Sequence, residues 1–153
     1  MSMRLDPYKS APQAMAALHR VEAGLQHAGL DRSLAELVRL RVSQLNACAY
    51  SIHLHTVVAL LRGETPARLH ALQFWERSAL FTASERAALA WADALSALDR
   101  GRVPDLTYEE VARHFSAHEL GALTLLVVAV NAWNRIAVGL RLEYPVRFAQ
   151  GME

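Results

Sequence analysis

Glu36-Leu-Val-Arg-Leu-Arg-Val-Ser-Gln-Leu-Asn-Ala-Cys48-Ala-Tyr-Ser51-Ile-His-Leu-His55 decides how this chain is read. It contains the only cysteine of the protein. It also sets an acid, a thiol, a hydroxyl and an imidazole at helical spacings. Residues three and four apart are neighbours on a helix surface. Positions 48, 51, 52 and 55 therefore share one face, and Cys48, Ser51 and His55 can line one pocket while His53 points elsewhere. Asn46 can cap a helix beginning at Ala47, which puts Cys48 in its first turn. The partial positive charge of a helix N-terminus favours a thiolate there.

Each of these residues has a structural reading beside the chemical one. A lone free cysteine is commonly a small buried apolar residue. His55 is either a satisfied core histidine or a group that takes a proton near neutral pH. Glu36 is either the carboxylate of a Ser33-x-x-Glu36 capping box or a carboxylate aimed into the pocket from the preceding helix. A metal at His53, His55 and Cys48 is disfavoured, because residues two apart face different ways and no CxxC or HExxH pattern accompanies them. Ser51 and His55 as nucleophile and base lack a G-x-S-x-G elbow and an oxyanion donor set.

Working outward, nearly the whole chain reads as helix, rich in Ala, Leu and Arg. Further capping boxes are expected at Thr82-x-x-Glu85, Thr107-x-x-Glu110 and Ser116-x-x-Glu119. Thr65-Pro66 marks another start, and Gly29, Gly63 and Gly101 sit where helices should stop. The predicted helices are 11–28, 33–46, 48–62, 66–79, 84–99, 107–115 and 117–140. No stretch alternates with period two, so no strand is predicted. Linkers are short, as in an antiparallel bundle. The 153 residues form one predicted domain, with a core at about 11–142 and the most mobile segments at the first ten and last eight residues.

The chain is 53% hydrophobic and only 20% charged, which points to a homo-oligomer burying part of that excess. Phe74, Trp75, Trp91 and Trp133 are expected in the core or at a subunit contact. Asn131, Asn134 and Arg135, on an apolar helix, are expected to bond neighbouring helix ends or a second subunit. A net charge of +1, scattered arginines and a single lysine, Lys9, argue against nucleic acid as a partner. The longest apolar run, Leu120–Val130, falls short of the roughly 20 residues a membrane span needs and reads as a buried helix. One cysteine and no signal-peptide pattern suit the cytoplasm.

The spacing Glu36, Cys48, position 51, His55 resembles the redox motif of the alkylhydroperoxidase D family, within the carboxymuconolactone decarboxylase superfamily. In that family position 51 is a second cysteine; here it is Ser51. The likeness extends over Glu36–Glu64, with the Ser43-Gln-Leu-Asn46 lead-in, and to Val130-Asn-Ala-Trp-Asn-Arg135. The resemblance implies an all-α, single-domain antiparallel bundle assembling as trimers or hexamers. It implies a peroxide-reducing reaction with an external thiol or dithiol as reductant and with no cofactor or metal. Carried onto this chain, Glu36 and His55 form the proton relay, Cys48 is the resolving thiol, and Ser51 stands where the attacking sulfur would be. The expected activity is thus a one-cysteine peroxide reductase working through Cys48. The alternative is a non-redox member of the fold that binds a small apolar ligand or acts as a decarboxylase or lactone-handling relative.

Overall fold

The structure, a computed structural model, describes residues 2–98 and 101–143. Among these the regular structure is entirely helical. The order is α1 (Pro7–Ser10), α2 (Pro12–Leu25), α3 (Arg32–Leu45), α4 (Ala49–Leu61), α5 (Pro66–Ala71), a 3-10 turn (Leu72–Arg77), α6 (Ala83–Ser96), α7 (Asp105–His114) and α8 (Ala117–Leu140). The predicted helix ending at 99 and the expectation for the last eight residues fall partly or wholly outside the described residues.

Helix α3 is the axis of the fold because its apolar residues cover two sides. Leu34, Val38 and Val42 face Ala88, Trp91 and Ala92 of α6 and Leu123, Leu126 and Val130 of α8. Leu37 and Leu40 face the other way, onto Ala59, Leu72, Trp75 and Leu89. Each fully buried leucine of this kind contributes about 1.5–3 kcal/mol. A helix buried on two sides leaves its charged residues little access to water. Glu36 and Arg39 of α3 are both buried, so they must find partners inside.

Helix ends follow local chemistry, with corrections to the sequence reading. The capping boxes at Thr82/Glu85 and Ser116/Glu119 are present. The one expected at Thr107/Glu110 is not the start of a helix, because α7 begins two residues earlier after Pro104. The Ser33 box is also not formed: Asp31 Oδ1 accepts from Leu34 N–H at 2.9 Å and caps α3 instead. Predicted helix 66–79 breaks at Leu72, and Phe74 leaves helical geometry. Gly29, Gly63 and Gly101 all have positive φ, as expected of helix stops.

Residues 4–10, expected among the most mobile, are tied down. Arg4 N–H donates to Leu140 O at 2.9 Å, its guanidinium reaches Gly139 O, and Asp6 caps α1. Away from the site, Arg68 joins Glu64, Glu85 and the segment before α6. Burial opposes both charges, but the hydrogen bonds outweigh it, raising Arg68 and holding Glu85 below the usual carboxylate range. Helix α8 is long and apolar enough by composition to cross a membrane. Its Leu123, Leu126, Val127 and Val130 belong to the buried core, which accounts for part of its apolar sequence, while Leu125 and Val128 stay exposed.

Candidate functional site

The α3–α4 junction fixes the thiol. Asn46 does not cap α4. Its side-chain amide donates to Asn131 Oδ1 and Asn134 Oδ1 of α8, each at 3.0 Å. Asn134 in turn donates to the buried Ser43 Oγ at 3.3 Å. The expected bonding role of the α8 asparagines is thus realised, with the end of α3 as the partner. With Asn46 committed to α8, the chain turns through Ala47 at φ 49, the left-handed region. Ala47 N–H bonds Gln44 O at 3.1 Å and Cys48 N–H bonds Ser43 O at 3.0 Å. This is the hydrogen-bond pair of a left-handed helix C-cap, with alanine where glycine is usual. Cys48 therefore becomes the N-cap of α4, just ahead of the helix and not within its first turn as predicted. Replacing exposed Ala47 by Gly is expected to stabilise the fold by about 0.5–1 kcal/mol, since glycine removes the left-handed penalty. A urea denaturation midpoint checks it; a lower midpoint would contradict the strain at this turn.

Cys48 is 1% exposed. Its Sγ–H donates to Ser51 Oγ at 3.3 Å, one turn along α4. One further turn on, His55 Nδ1 pairs with Glu36 Oε2 at 3.0 Å. Because Asp31 took over the cap, the Glu36 carboxylate is free for this contact. The four residues of the sequence motif are therefore brought together along one face of α4 and the adjoining turn of α3.

The site extends further than the motif. Glu36 Oε1 lies 3.9 Å from Arg39 Nε and 3.5 Å from an Arg62 nitrogen. The buried Arg39 guanidinium makes a close ion pair with Glu22 of α2. A chain of polar contacts thus runs from Glu22 through Arg39 and Glu36 to His55. The second Glu22 oxygen, Oε2, is buried without a partner.

Two cavities meet at this chain, and Glu22, Arg39, Leu54 and His55 line both. One, of about 320 Å³, also reaches Glu36, Arg32 and Arg62. The other, of about 230 Å³, reaches Ser51, Tyr8, Tyr50 and Trp133. Along its wall Tyr8 stacks on His19 and His19 meets Trp133 in a tilted contact, and Tyr8 OH and His19 Nε2 are 3.2 Å apart. Trp133 is thereby a cavity wall, Trp75 and Trp91 are core, and Phe74 is exposed. Cys48 lines neither cavity, contrary to the expectation that it would share a pocket with Ser51 and His55. As the N-cap it sits beneath Ser51. Among the described residues no three His, Cys, Asp or Glu side chains stand close enough to hold a metal ion.

Glu22 and Arg39 were missed by the sequence reading. Arg39 follows Glu36 by three residues, a spacing that signals an ion pair on a helix. Nothing in the sequence ties Glu22 to either, because the contact depends on how α2 packs on α3.

The model of the carboxymuconolactone decarboxylase family matches residues 12–94. The uncharacterized protein YdfG of Bacillus subtilis (strain 168) is 33% identical over 140 residues, covering 92% of this chain and 95% of that protein. A crystal structure of an Agrobacterium tumefaciens protein of unknown function, connected by its description with AhpD antioxidant defence, matches with a TM-score of 0.91. Its identity is 33%, over 95% of this chain and 99% of that one. The debrominase Bmp8 matches with a TM-score of 0.78 at 18% identity, over 88% of this chain and 72% of its own. At that identity the likeness concerns the fold alone.

Proposed function

The chain belongs to the carboxymuconolactone decarboxylase family and has the all-α alkylhydroperoxidase D-like fold, and within that family we propose that it is a thiol-dependent hydroperoxide reductase working through Cys48 alone. The observation that carries this reading is a pair of contacts one turn apart on α4, the acid Glu36 on the base His55 at 3.0 Å and the thiol Cys48 on the hydroxyl Ser51 at 3.3 Å. In the proposed cycle the Cys48 thiolate attacks one peroxide oxygen. The O–O bond breaks, sulfur is oxidised to sulfenic acid, and the alcohol or water leaves with a proton managed by His55 and Glu36. One external thiol then condenses with the sulfenic acid, releasing water and leaving a mixed disulfide. A second thiol frees Cys48 and departs as the oxidised disulfide.

Ser51 has two parts in this scheme. Its hydroxyl can donate to the thiolate, and its side chain covers the sulfur, so peroxide entering the aromatic cavity meets Cys48 once that hydroxyl turns aside. A reducing cytoplasm would supply the external thiol. A trimeric or hexameric assembly belongs to the same reading, and the outward side of α8, where Leu125 and Val128 are each 56% exposed, supports it.

A second reading has its own observation: Glu36, Ser51 and His55 face cavities, whereas the sulfur does not. It makes the site a non-redox acid–base centre of the decarboxylase or lactone-handling kind, or a small-ligand pocket. Brief peroxide exposure of the reduced protein in the presence of a sulfenic-acid trap, followed by intact mass, separates the two. The first reading expects a trapped adduct on Cys48 that forms faster in the folded protein than in urea. Trapping no faster than in the unfolded chain would overturn it in favour of the second.

A further inference from the structure

We infer that the larger cavity is a binding site for an amphipathic monocarboxylic acid, anchored by Arg32 and Arg62 with its apolar body against Leu25, Leu30, Leu54 and Val58. The cavity, about 320 Å³, lies at the small end of ligand sites, which run about 300–1,000 Å³. Its charges do not balance. Arg32, Arg39 and Arg62 line it against two carboxylates, Glu22 and Glu36. Counting the arginines against the glutamates, one positive charge is left over. Arg39 is held between the two glutamates, so the surplus belongs to the outer pair.

The outer pair is placed to share an anion. An Arg62 nitrogen donates to Arg32 O at 3.4 Å and stands 3.5 Å from Glu36 Oε1. This holds the Arg62 side chain against the backbone at the start of α3, where Arg32 also lines the cavity, while Arg62 remains 40% exposed. Among the described residues Arg32 makes no ion pair. A guanidinium fork matches a carboxylate in shape and charge. One surplus charge suits a monoanion; a dianionic phosphate would leave the cavity net negative. Leu25, Leu30, Leu54 and Val58 supply apolar wall in the same cavity, and Glu36 and His55 line it too, so an acid held by the arginines has its apolar body in the cavity that contains the acid–base pair.

That such an acid is also the substrate, as a carboxylated organic hydroperoxide, rests on the function proposed above. Binding itself does not, because an unreactive acid reports it. Octanoate has no O–O bond, and 1-octanol offers the same chain without the charge. Isothermal titration of the whole protein should show saturable octanoate binding, with 1-octanol weaker by about tenfold or more. R32Q lies at an exposed first position of α3 and leaves the Arg62–Glu36 contact in place. It should weaken octanoate by about fivefold or more and leave 1-octanol unchanged. R62Q should weaken octanoate likewise. Equal affinity for acid and alcohol, no saturation by millimolar octanoate, or undiminished octanoate binding in R32Q would each overturn the assignment. None of these results depends on peroxide turnover, so failure here is distinct from failure of the sulfenic-acid experiment.

Discussion

Replacing Ser51 by cysteine is expected to raise thiol-dependent hydroperoxide turnover by about 100-fold or more, equivalent to about 2.7 kcal/mol of barrier. Three features of the site combine to give this effect. Ser51 lines the aromatic cavity, whereas Cys48 is sealed beneath it, so a sulfur at position 51 meets peroxide directly. A thiol ionises many orders of magnitude more readily than a serine hydroxyl, and His55 lies one turn away on the same helix face. The third feature is resolution. Cys48 Sγ stands 3.3 Å from Ser51 Oγ, and a modest approach brings two sulfurs there to the roughly 2.05 Å of a disulfide. A sulfenic acid at position 51 would be captured by Cys48 within the chain, with release of water, and the slow encounter with an external thiol would no longer limit that step.

The measurements are peroxide consumption with a dithiol reductant and the intact mass after one peroxide pulse, which should fall by two hydrogens. The S51C/C48A double variant supplies the internal control. It keeps the cavity-facing thiol, so the first oxidation persists, but it cannot form the internal disulfide. If S51C is no faster than the native protein and shows no disulfide, Glu36 and His55 do not activate a thiol at this face. The non-redox reading would then account for the site.

The architecture was largely legible because its signals are local. The apolar periodicity of α3, the Thr82 and Ser116 caps and the three glycine stops each act within a few residues, and each appears where expected. The site was legible in its members and not in its access. Spacing along α4 brings Cys48, Ser51 and His55 to one side, but whether a side chain reaches a cavity depends on what packs over it. Here a single residue decides that outcome. Asn46 reads as a cap for α4, yet α8 supplies two asparagine acceptors, so it is drawn into the end of α3. The turn moves to Ala47 and Cys48 drops to the N-cap, below Ser51. Similarly, Ser33 and Glu36 have the spacing of a capping box, and Asp31 two residues earlier starts the helix first by accepting from the Leu34 N–H. That earlier start is invisible in the box motif, and its result frees the carboxylate that His55 uses.

Arg39→Leu is expected to lower stability by about 3–5 kcal/mol, the usual cost of removing one partner from a buried ion cluster. The Arg39 side chain is 11% exposed and lies between Glu22 and Glu36. Without it Glu22 has no ion-pair partner among the described residues, and its Oε2 already lacks a hydrogen bond. Glu36 retains His55 and the longer Arg62 contact, but faces a second carboxylate with no cation between them. The cost therefore comes from stranded charge more than from lost attraction, and this distinction is testable. Glu22→Leu added to Arg39→Leu removes the stranded partner and puts apolar surface beside Leu54 and the aromatic cavity. Replacing a buried pair by apolar groups is often neutral, so the double variant should recover most of the loss. Urea midpoints for the native protein, both single variants and the double variant close a mutant cycle with a coupling of about 2–3 kcal/mol. If the double variant is as unstable as the sum of its singles, Glu22 and Arg39 act independently, and the charged chain from α2 to His55 is not one energetic unit.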